Sequence, residues 1–285
     1  MLVHARRIIA AAYRAKHLAI AFNTMNAETT LAVARAASTL GRGTLFEISE
    51  KTISYLGLGT VVAMTEAICR DPAITAPLAL HLDHGHSVEI CRAAVRAGFS
   101  SVMFDGSALP FKENVRLTRQ VVRFAHAHGV WVQGEIGALV ASRRGSRVRV
   151  AAELMTDPAQ AAAFVKLTGV DTLGVAVGTL HGPMKIFHKL PHIDFPRIAA
   201  ITRATRTPLV LHGASGVPAA DLRRAARLGV AVANIDTDLR LTYLAAMRRE
   251  LARQKKEYDP RVVFGPVVSA VQALAESKLR SVVRS

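Results

Sequence analysis

Residues 77–106 read PLALHLDHGHSVEICRAAVRAGFSSVMFDG and contain one strand, one helix and a second strand. PLALHLD and SVMFDG are short apolar runs, whereas the segment between them has apolar residues at helical spacing, begins with Ser87 and ends with Gly98. Strands that are apolar along their whole length are typical of a parallel sheet covered on both faces. This stretch therefore predicts a parallel strand–helix–strand unit.

The same unit recurs along the chain. Eight strand candidates alternate with helical segments, at roughly 30 residues per unit, which predicts a closed TIM (β/α)8 barrel of the α/β class. An open doubly wound sheet is the structural alternative, but it usually carries a GxGxxG turn after its first strand, where this chain has AFNTMNAE. We predict a single domain over residues 1–285, with a short N-terminal helix and a C-terminal helical extension. The strand candidates are LAIAF from Leu18, TLFEIS from Thr44, PLALHLD from Pro77, SVMFDG from Ser101, VWVQGEIG from Val130, TLGVAVG from Thr172, PLVLHG from Pro208 and VAVANID from Val230.

The composition is that of an ordinary globular protein. Hydrophobic residues make up 51% and charged residues 20%, and no segment approaches the run of about 18 apolar residues that a membrane span needs. We therefore expect no membrane association. The two cysteines, Cys69 and Cys91, lack CxxC spacing, which disfavours a disulfide framework and fits a reducing compartment. A cytoplasmic location is expected.

The formal net charge of +16 favours anionic partners such as sugar phosphates, nucleic acid or an acidic membrane surface. Most arginines lie on polar helix faces, as in LRRAARLG and MRRELARQKK, so a solvated surface accounts for much of the charge. The sequence has no recognisable nucleic-acid motif, and a role in nucleic-acid binding is therefore disfavoured.

Polar residues follow the predicted strands at their carboxyl ends. In a barrel of this kind these ends surround the mouth where active sites are built, whereas the opposite ends serve stability. Six consecutive strands, from the third to the eighth, end in titratable or phosphate-binding residue types. They are Asp83-His84-Gly85, Asp105-Gly106-Ser107, Glu135, Gly178-Thr179 with His181-Gly182, His212-Gly213-Ala214-Ser215-Gly216, and Asn234-Ile235-Asp236-Thr237.

Histidines stand at the ends of three of these strands. His84, His181 and His212 are far apart in sequence, but closure of the barrel would bring them within reach of one atom. Each is followed by glycine, which lets backbone or substrate approach closely. A single histidine of this kind is more often a core residue, but three neutral imidazoles with an open fourth position are typical of a catalytic zinc site.

Three carboxylates accompany the histidines. Asp83 precedes a proposed ligand, and because neighbouring side chains diverge at a strand end, we expect it to act as a general acid or base and not to share the metal. A helix cap or an ion pair is the alternative role for Asp83. Asp105 and Glu135 are candidate ligands for an alternate metal position or residues that orient the histidines, and purely structural roles are equally consistent with the sequence.

Residues 212–216, HGASG, resemble a backbone nest, in which glycine and a small hydroxyl present N–H groups to a phosphate. The next strand ends in NIDT, which offers Asn234, Thr237 and further amides. A phosphate held after the seventh and eighth strands is a recurring feature of such barrels. The two segments together predict a phosphate site.

In order along the chain, AFN (21–23), LDHG (82–85), FDGS (104–107) followed by PFKENVRLT, GTLHGP (178–183), LVLHGASG (209–216) and NIDTDLR (234–240) resemble the class II fructose-bisphosphate and tagatose-bisphosphate aldolases. The resemblance covers nearly the whole chain. It implies a zinc-dependent TIM barrel that cleaves a ketose bisphosphate into dihydroxyacetone phosphate and glyceraldehyde 3-phosphate, and that forms a homodimer or homotetramer. NIDTDLR is closer to the fructose-specific members than to the tagatose-specific ones.

The same resemblance assigns roles to individual residues. It implies Zn²⁺ on His84, His181 and His212, with a monovalent cation as a further expectation, and makes Asp83 the acid or base that acts on the aldehyde or C4 oxygen. Zinc would polarise the ketone and stabilise the charge that develops as the C–C bond breaks, so no Schiff-base lysine is required. The residues placed around the dihydroxyacetone phosphate end are Gly182, Gly213, Ser215, Asn234, Asp236 and Thr237.

One segment departs from the family pattern. Family members follow the fifth strand with a mobile loop whose acidic residue moves the C1 proton, whereas residues 134–150 read GEIGALVASRRGSRVRV, with Arg143 and Arg144 where the acid is expected. Gln133 stands where a glutamate is common, and Met184 where an aromatic residue is common.

Three interpretations of this departure remain open. Another carboxylate such as Glu153 serves as the proton carrier, or the substrate is a different ketose phosphate with another proton route, or the barrel binds sugar phosphates with little turnover. Loss of one positioned acid or base costs about 10²–10⁴-fold in rate, so weak activity would survive even without a replacement.

Overall fold

The structure is a computed structural model that describes residues 1–137, 155–179 and 193–282. Eight parallel strands, β1 to β8, pair in chain order and close into a barrel, because β1 also pairs with β8. The predicted TIM barrel is confirmed, and each predicted strand segment contains one observed strand or overlaps it. The strands are β1 Ala19–Asn23, β2 Thr44–Ser49, β3 Leu78–Gly85, β4 Ser101–Phe104, β5 Trp131–Ile136, β6 Thr172–Val175, β7 Leu209–Leu211 and β8 Val230–Ile235.

Helices precede, connect and follow the strands. Within the described residues, β2 is followed by two helices that meet at Gly57, and β8 by two long helices that form the predicted C-terminal extension. The helices are α1 Ala5–Ala15, α2 Ala27–Leu40, α3 Glu50–Leu56, α4 Leu58–Arg70, α5 Val88–Arg96, α6 Phe111–Ala127, α7 Pro158–Thr168, α8 Phe195–Thr205, α9 Ala219–Arg227, α10 Thr237–Arg253 and α11 Pro260–Ser281.

Short polar side chains begin several of these helices. Ser87 Oγ accepts a hydrogen bond from the Ile90 amide at 3.1 Å, and Asp157 Oδ1 accepts one from the Gln160 amide at 2.8 Å. These caps satisfy amides that have no partner inside the first helical turn. At the other end of α7, Gly169 takes the left-handed conformation that stops a helix. The start and stop signals in the sequence therefore set the helix boundaries.

The predicted N-terminal helix closes the amino-terminal end of the barrel. The buried Ile8 and Ile9 of α1 pack against side chains from the first residues of the strands, among them Ala19, Ala79 and Val232. The small side chains of Ala19 and Ala79 leave room for the two isoleucines in this cluster. The barrel interior is therefore packed at this end, and polar side chains are concentrated at the other.

The C-terminal helix α11 is long and apolar. Among the helices in the described ranges, α11 alone is long and apolar enough to match the length and composition of a membrane span. The helices α3 and α4 match only if they are counted together as one span, which is bent by 93°. In the structure α11 packs against α2 and α10 and buries Val267, Val271 and Ala275. A helix that covers one side of a protein core passes the same test, so the signal is weak.

Replacing Phe164 with alanine should destabilise the barrel. Phe164 on α7 is 0% exposed, and the missing side chain of Gly134 on β5 makes room for it, since a Cβ at Gly134 would lie 2.7 Å from its ring. We expect the free energy of unfolding in urea to fall by about 3–5 kcal/mol because a large cavity is left. Leu167→Ala on the same helix, at a residue 47% exposed, is the control and should cost much less. Equal losses would contradict this account.

Candidate active site

A cavity of about 470 Å³ opens at the carboxyl ends of the strands. Each predicted site residue that the structure describes lines this cavity, whereas His181 and Gly182 lie outside the described residues. The cavity also takes in residues that the sequence analysis did not select. The lining residues are Asn23, Ser49, Glu50, Lys51, Asp83, His84, His86, Asp105, Ser107, Glu135, His212, Gly213, Ser215, Asn234, Asp236, Thr237 and Arg240.

Asp83, His84 and His212 form a cluster with metal-ligand spacing. Their ligand atoms all lie within 4.8 Å of one another. Asp83 Oδ1 is 3.7 Å from His84 Nε2 and 4.0 Å from His212 Nδ1, and the two imidazole centroids are 4.6 Å apart. Two of the three predicted histidine ligands are therefore brought together across the mouth of the barrel.

The arrangement of Asp83 and His84 differs from the sequence-based expectation. Their side chains were expected to diverge, but both point into the same cluster. The β3–β4 register shifts between Leu82 and Gly85, and His84 has a left-handed φ of 48°. A non-glycine residue in this region carries strain, which persists where surrounding structure imposes it and is common at functional sites. The irregular strand end thus turns two consecutive side chains toward one point.

Two further carboxylates surround His84. Asp105 Oδ2 lies 2.7 Å from His84 Nδ1, and Asp105 Oδ1 accepts hydrogen bonds from the amide and hydroxyl of Ser107. Glu135 Oε2 lies 3.8 Å from both His84 Nδ1 and His212 Nε2. His84, Asp105 and Glu135 make a second group whose ligand atoms lie within 4.8 Å of one another.

The electrostatics of the cluster favour positive charge. Burial alone would lower the pKa of His84, but Asp83, the hydrogen bond to Asp105 and the charge of Glu135 outweigh it and raise the pKa to about 10. Burial raises the pKa of Glu135 to about 8. Despite burial, the hydrogen bond with His84 lowers the pKa of Asp105. A site that stabilises an imidazolium in this way also stabilises a metal cation.

The donor set fits a divalent cation. Among the described residues, Asp83 Oδ1 and both carboxylate oxygens of Glu135 are buried without a hydrogen-bond partner. Buried charged oxygens without a partner are costly unless they are protonated or bind a cation. Imidazole nitrogens beside carboxylate oxygens suit zinc and related divalent metals.

His212 is held at both edges of its ring. Gln133 Nε2 lies 2.7 Å from His212 Nε2, and Asn234 Nδ2 lies 3.1 Å from His212 Nδ1. Both amides are buried, and they come from β8, which pairs with β7, and from β5, which lies two strands away on the other side. Such contacts fix the orientation of an imidazole and the directions in which its two ring nitrogens point.

The cavity-lining residues that were not predicted from the sequence include Asn23, Lys51 and Arg240. Asn23, at the end of β1, donates a hydrogen bond of 2.6 Å to Asp83 Oδ2. Lys51 on α3 and Arg240 on α10 line the cavity, and Arg240 pairs with Asp236. Asn23 and Arg240 lie within the AFN and NIDTDLR motifs, so a signal existed for both. Lys51 follows Ser49 and Glu50 at the end of β2, a segment that none of the family motifs covers.

The predicted phosphate segments lie side by side. Residues 213–216, here called the β7 turn, have positive φ at Gly213 (68°) and Gly216 (73°), which glycine adopts without strain. Asp238 in the first turn of α10 accepts a hydrogen bond of 3.0 Å from the Gly216 amide. Thr237 begins α10, so the β7 turn adjoins a helix N-terminus, where backbone amides attract anions.

Comparison with known proteins assigns the chain to a family. A model of the family described as fructose-bisphosphate aldolase class-II matches residues 3–285. The chain belongs to the class II fructose-bisphosphate aldolase family. Members of this family are lyases, and zinc is the family cofactor. The resemblance recognised in the sequence is thereby confirmed.

The class II aldolase relatives include enzymes with different named substrates. The chain is 39% identical over 282 residues to a fructose-bisphosphate aldolase of Geobacillus stearothermophilus, covering 98% of this chain and 96% of that protein. It is 40% identical over 260 residues to a 6-phospho-5-dehydro-2-deoxy-D-gluconate aldolase of Shouchella clausii, covering 91% and 87%. Overall identity therefore does not separate substrates within the class II aldolases.

Solved structures of aldolases have the same fold. The YdjI aldolase from Escherichia coli K12 superposes with a TM-score of 0.84 at 30% identity, covering 99% of this chain and 97% of that one. A fructose-1,6-bisphosphate aldolase assigned in Coccidioides immitis superposes with a TM-score of 0.86 at 27% identity, covering 98% and 96%. The departures from the class II aldolase pattern at Arg143, Arg144 and Met184, and the substitute carboxylate Glu153, lie outside the described residues.

Proposed function

We propose that this chain catalyses the reversible, zinc-dependent cleavage of fructose 1,6-bisphosphate to dihydroxyacetone phosphate and glyceraldehyde 3-phosphate. The observation that carries the proposal is the meeting of Asp83, His84 and His212 within 4.8 Å, in a cavity that the β7 turn also lines. Chemistry and phosphate recognition would then occur in one space. The whole chain would act as a single barrel domain over residues 1–285.

His84 and His212 would hold the zinc ion, and the resemblance adds His181 as the third ligand. Zinc bound there would polarise the substrate ketone and stabilise the negative charge that develops as the C–C bond breaks. Asp105 would orient His84 through its 2.7 Å contact. Glu135, which lies 3.8 Å from both histidines, would offer an alternate ligand position.

Asp83 would be the acid and base for the C4 oxygen. The Asn23 amide holds Asp83 Oδ2, and Asp83 Oδ1 faces the two histidines. In cleavage the carboxylate takes the C4 hydroxyl proton while the C3–C4 bond breaks and its electron pair passes to C3. In synthesis Asp83 returns that proton to the aldehyde oxygen.

A second proton must reach the dihydroxyacetone phosphate fragment. The resemblance assigns this transfer to an acidic residue in the loop after β5, where this chain has Arg143 and Arg144. The chemical step at Asp83 does not depend on that residue, but completion of the product does. Glu153 is the carboxylate in the same segment that would replace it.

The phosphate groups would be held on two sides of the cavity. The β7 turn and the start of α10 offer backbone amides and hydroxyls to the dihydroxyacetone phosphate end. Lys51 and Arg240 supply positive charge from α3 and α10, which suits the phosphate of the aldehyde half. The residues proposed to contact substrate are Gly182, Gly213, Ser215, Asn234, Asp236 and Thr237.

Two alternatives concern substrate and turnover. Tagatose 1,6-bisphosphate would use the same groups, and the relative that acts on a deoxygluconate phosphate shows that near relatives differ in substrate. A weakly active sugar-phosphate-binding barrel is favoured by the arginines in the loop after β5. A homodimer or homotetramer, a cytoplasmic location and a requirement for a monovalent cation are also proposed, from the family resemblance.

An assay of metal-loaded protein tests the function. The purified chain, supplied with zinc, should cleave fructose 1,6-bisphosphate; a chelator should abolish the activity and added zinc should restore it. Tagatose 1,6-bisphosphate and 6-phospho-5-dehydro-2-deoxy-D-gluconate serve as parallel substrates. Tight sugar-phosphate binding with negligible cleavage of both bisphosphates would reject the aldolase proposal in favour of the binding barrel.

A further inference from the structure

The β7 turn and the start of α10 are joined by two reciprocal contacts. The Gly216 amide donates to Asp238 Oδ2 at 3.0 Å, and the Asp238 amide donates to Ser215 Oγ at 3.3 Å. The side chain of Asp238 therefore fixes a backbone amide of the turn, while its own amide is fixed by the turn. A carboxylate accepting from a backbone amide is well suited to the first turn of a helix.

This arrangement places a negative charge beside a proposed phosphate site. Gly213, Ser215 and Thr237 line the cavity, and Asp238 directly follows Thr237. A carboxylate next to the residues that hold a phosphate dianion repels the phosphate unless the charge of the carboxylate is compensated. The fold therefore needs a cation close to Asp238 if the β7 turn is to bind phosphate well.

Lys278 provides that cation from the C-terminal helix. Lys278 Nζ lies 2.5 Å from Asp238 Oδ2, the same oxygen that accepts from Gly216. The side chains of Lys278 and Asp238 are only 21% and 20% exposed, so solvent screens this pair less than an ordinary surface pair. The contact spans 40 residues of sequence and two helices.

A second contact holds the end of α11 near the same region. Arg223 of α9 donates to the Ser281 carbonyl at 2.5 Å. Because α9 directly follows the β7 turn, this contact links the end of α11 to the segment after the turn, while the Lys278–Asp238 pair links it to the start of α10. Lys278 is therefore held close to Asp238 by the packing of α11.

We propose that Lys278 is a positioning residue for phosphate binding, acting through Asp238. It neutralises the carboxylate that holds the β7 turn, so that Asp238 keeps its hydrogen bond to Gly216 without repelling the substrate phosphate. The proposal rests on the phosphate role given to the β7 turn in the proposed function. It assigns to the C-terminal helix a part in substrate recognition.

Lys278→Met tests this proposal, because it leaves the charge of Asp238 without a partner. We expect KM for fructose 1,6-bisphosphate to rise about tenfold with kcat nearly unchanged, since the repulsion acts alike on bound substrate and transition state. The affinity for inorganic phosphate, measured by calorimetry, should fall by the same factor. Lys278→Arg keeps the charge and should restore binding.

The double variant Asp238→Asn with Lys278→Met separates charge compensation from a merely structural contact. Removing the carboxylate should return phosphate affinity to within about threefold of wild type, because the repulsion is gone. Asp238→Asn alone keeps an oxygen for Gly216 and should bind phosphate at least as well as wild type. If the double variant binds no better than Lys278→Met, the proposal is overturned.

Arg280→Met is the matched control on the same helix. Arg280 pairs with Glu276 at 2.9 Å and is 63% exposed, and neither residue lines the cavity. Its KM and phosphate affinity should stay at wild-type values, and thermal unfolding of every variant should show a folded chain. If Lys278→Met fails to fold, Asp238→Asn alone decides, and weaker phosphate binding by it would reject the proposal.

The calorimetric measurement keeps this proposal apart from the proposed function. A wild-type chain that binds phosphate but cleaves no bisphosphate would reject the aldolase activity, while the order of affinities among the variants would still test Lys278. If the wild type cleaves the bisphosphate and Lys278→Met has unchanged KM and phosphate affinity, the proposed role of Lys278 is rejected while the aldolase activity stands.

Discussion

The variant His212→Ala is expected to lose both zinc and aldolase activity. His212 is buried at the end of β7, with its ring 4.6 Å from that of His84. Removing a residue that only orients a metal ligand costs about 10–100-fold in metal affinity, and removing a ligand itself should cost more. The alanine would also leave Gln133 and Asn234 without the ring that they contact.

Zinc affinity by competition with a chelator, measured together with the cleavage rate, provides the test. His126→Ala is the control, because His126 contacts Asp171 at 2.9 Å at the amino-terminal end of the barrel, away from the cavity. The control should keep stoichiometric zinc and full activity. Wild-type zinc content in His212→Ala would remove this residue from the metal site.

Asp83→Asn should lower kcat by about 10²–10⁴-fold while zinc stays bound, because the general acid or base is lost but the histidines remain. An asparagine oxygen at this position can still accept the hydrogen bond from Asn23, so the geometry should be preserved. The loss should therefore fall on the proton transfer. Steady-state kinetics in both reaction directions, with zinc content measured in parallel, would establish it.

The outcome of Asp83→Asn also decides between two roles for this carboxylate. The ligand atoms of Asp83, His84 and His212 lie close enough together to bind one metal ion. The position of Asp83 therefore suits both a proton carrier and a metal ligand. Loss of zinc would identify a ligand, and a kcat within tenfold of wild type would reject both roles. Asp171→Asn, at the opposite end of the barrel, is the matched carboxylate control.

The fold was predictable because its signals are local and repeated. Each strand is a short apolar run, and caps such as Ser87 and Asp157 mark where helices begin. Strand ends were less predictable: the segment TLGVAVG forms a strand only over Thr172–Val175, and PLVLHG only over Leu209–Leu211. After β7 the chain leaves the ladder and supplies His212 and Gly213 to the cavity, so sequence type alone does not specify where this strand ends.

The candidate site was predictable where residue type and strand end coincide, as at His84 and His212. The meeting of Asp83 with His84 was not, because it depends on a register shift and a φ of 48° that only the closed barrel imposes. The position of Lys51 at the cavity was not predictable, because in the sequence a lysine in the first turn of a helix resembles any surface lysine. Its position over the cavity follows from the orientation of α3, a tertiary property.

The packing of α1 against the strand beginnings has a kinetic consequence. Ile8, Ile9 and their neighbours fill that end of the barrel. In the part of the barrel that the structure describes, the cavity therefore opens to solvent at the carboxyl ends of the strands and not at the amino-terminal end. The two fragments of a cleaved sugar must then depart through the passage by which the intact sugar arrived. Departure is expected to be sequential, and accumulation of the fragment that leaves last would slow the next turnover.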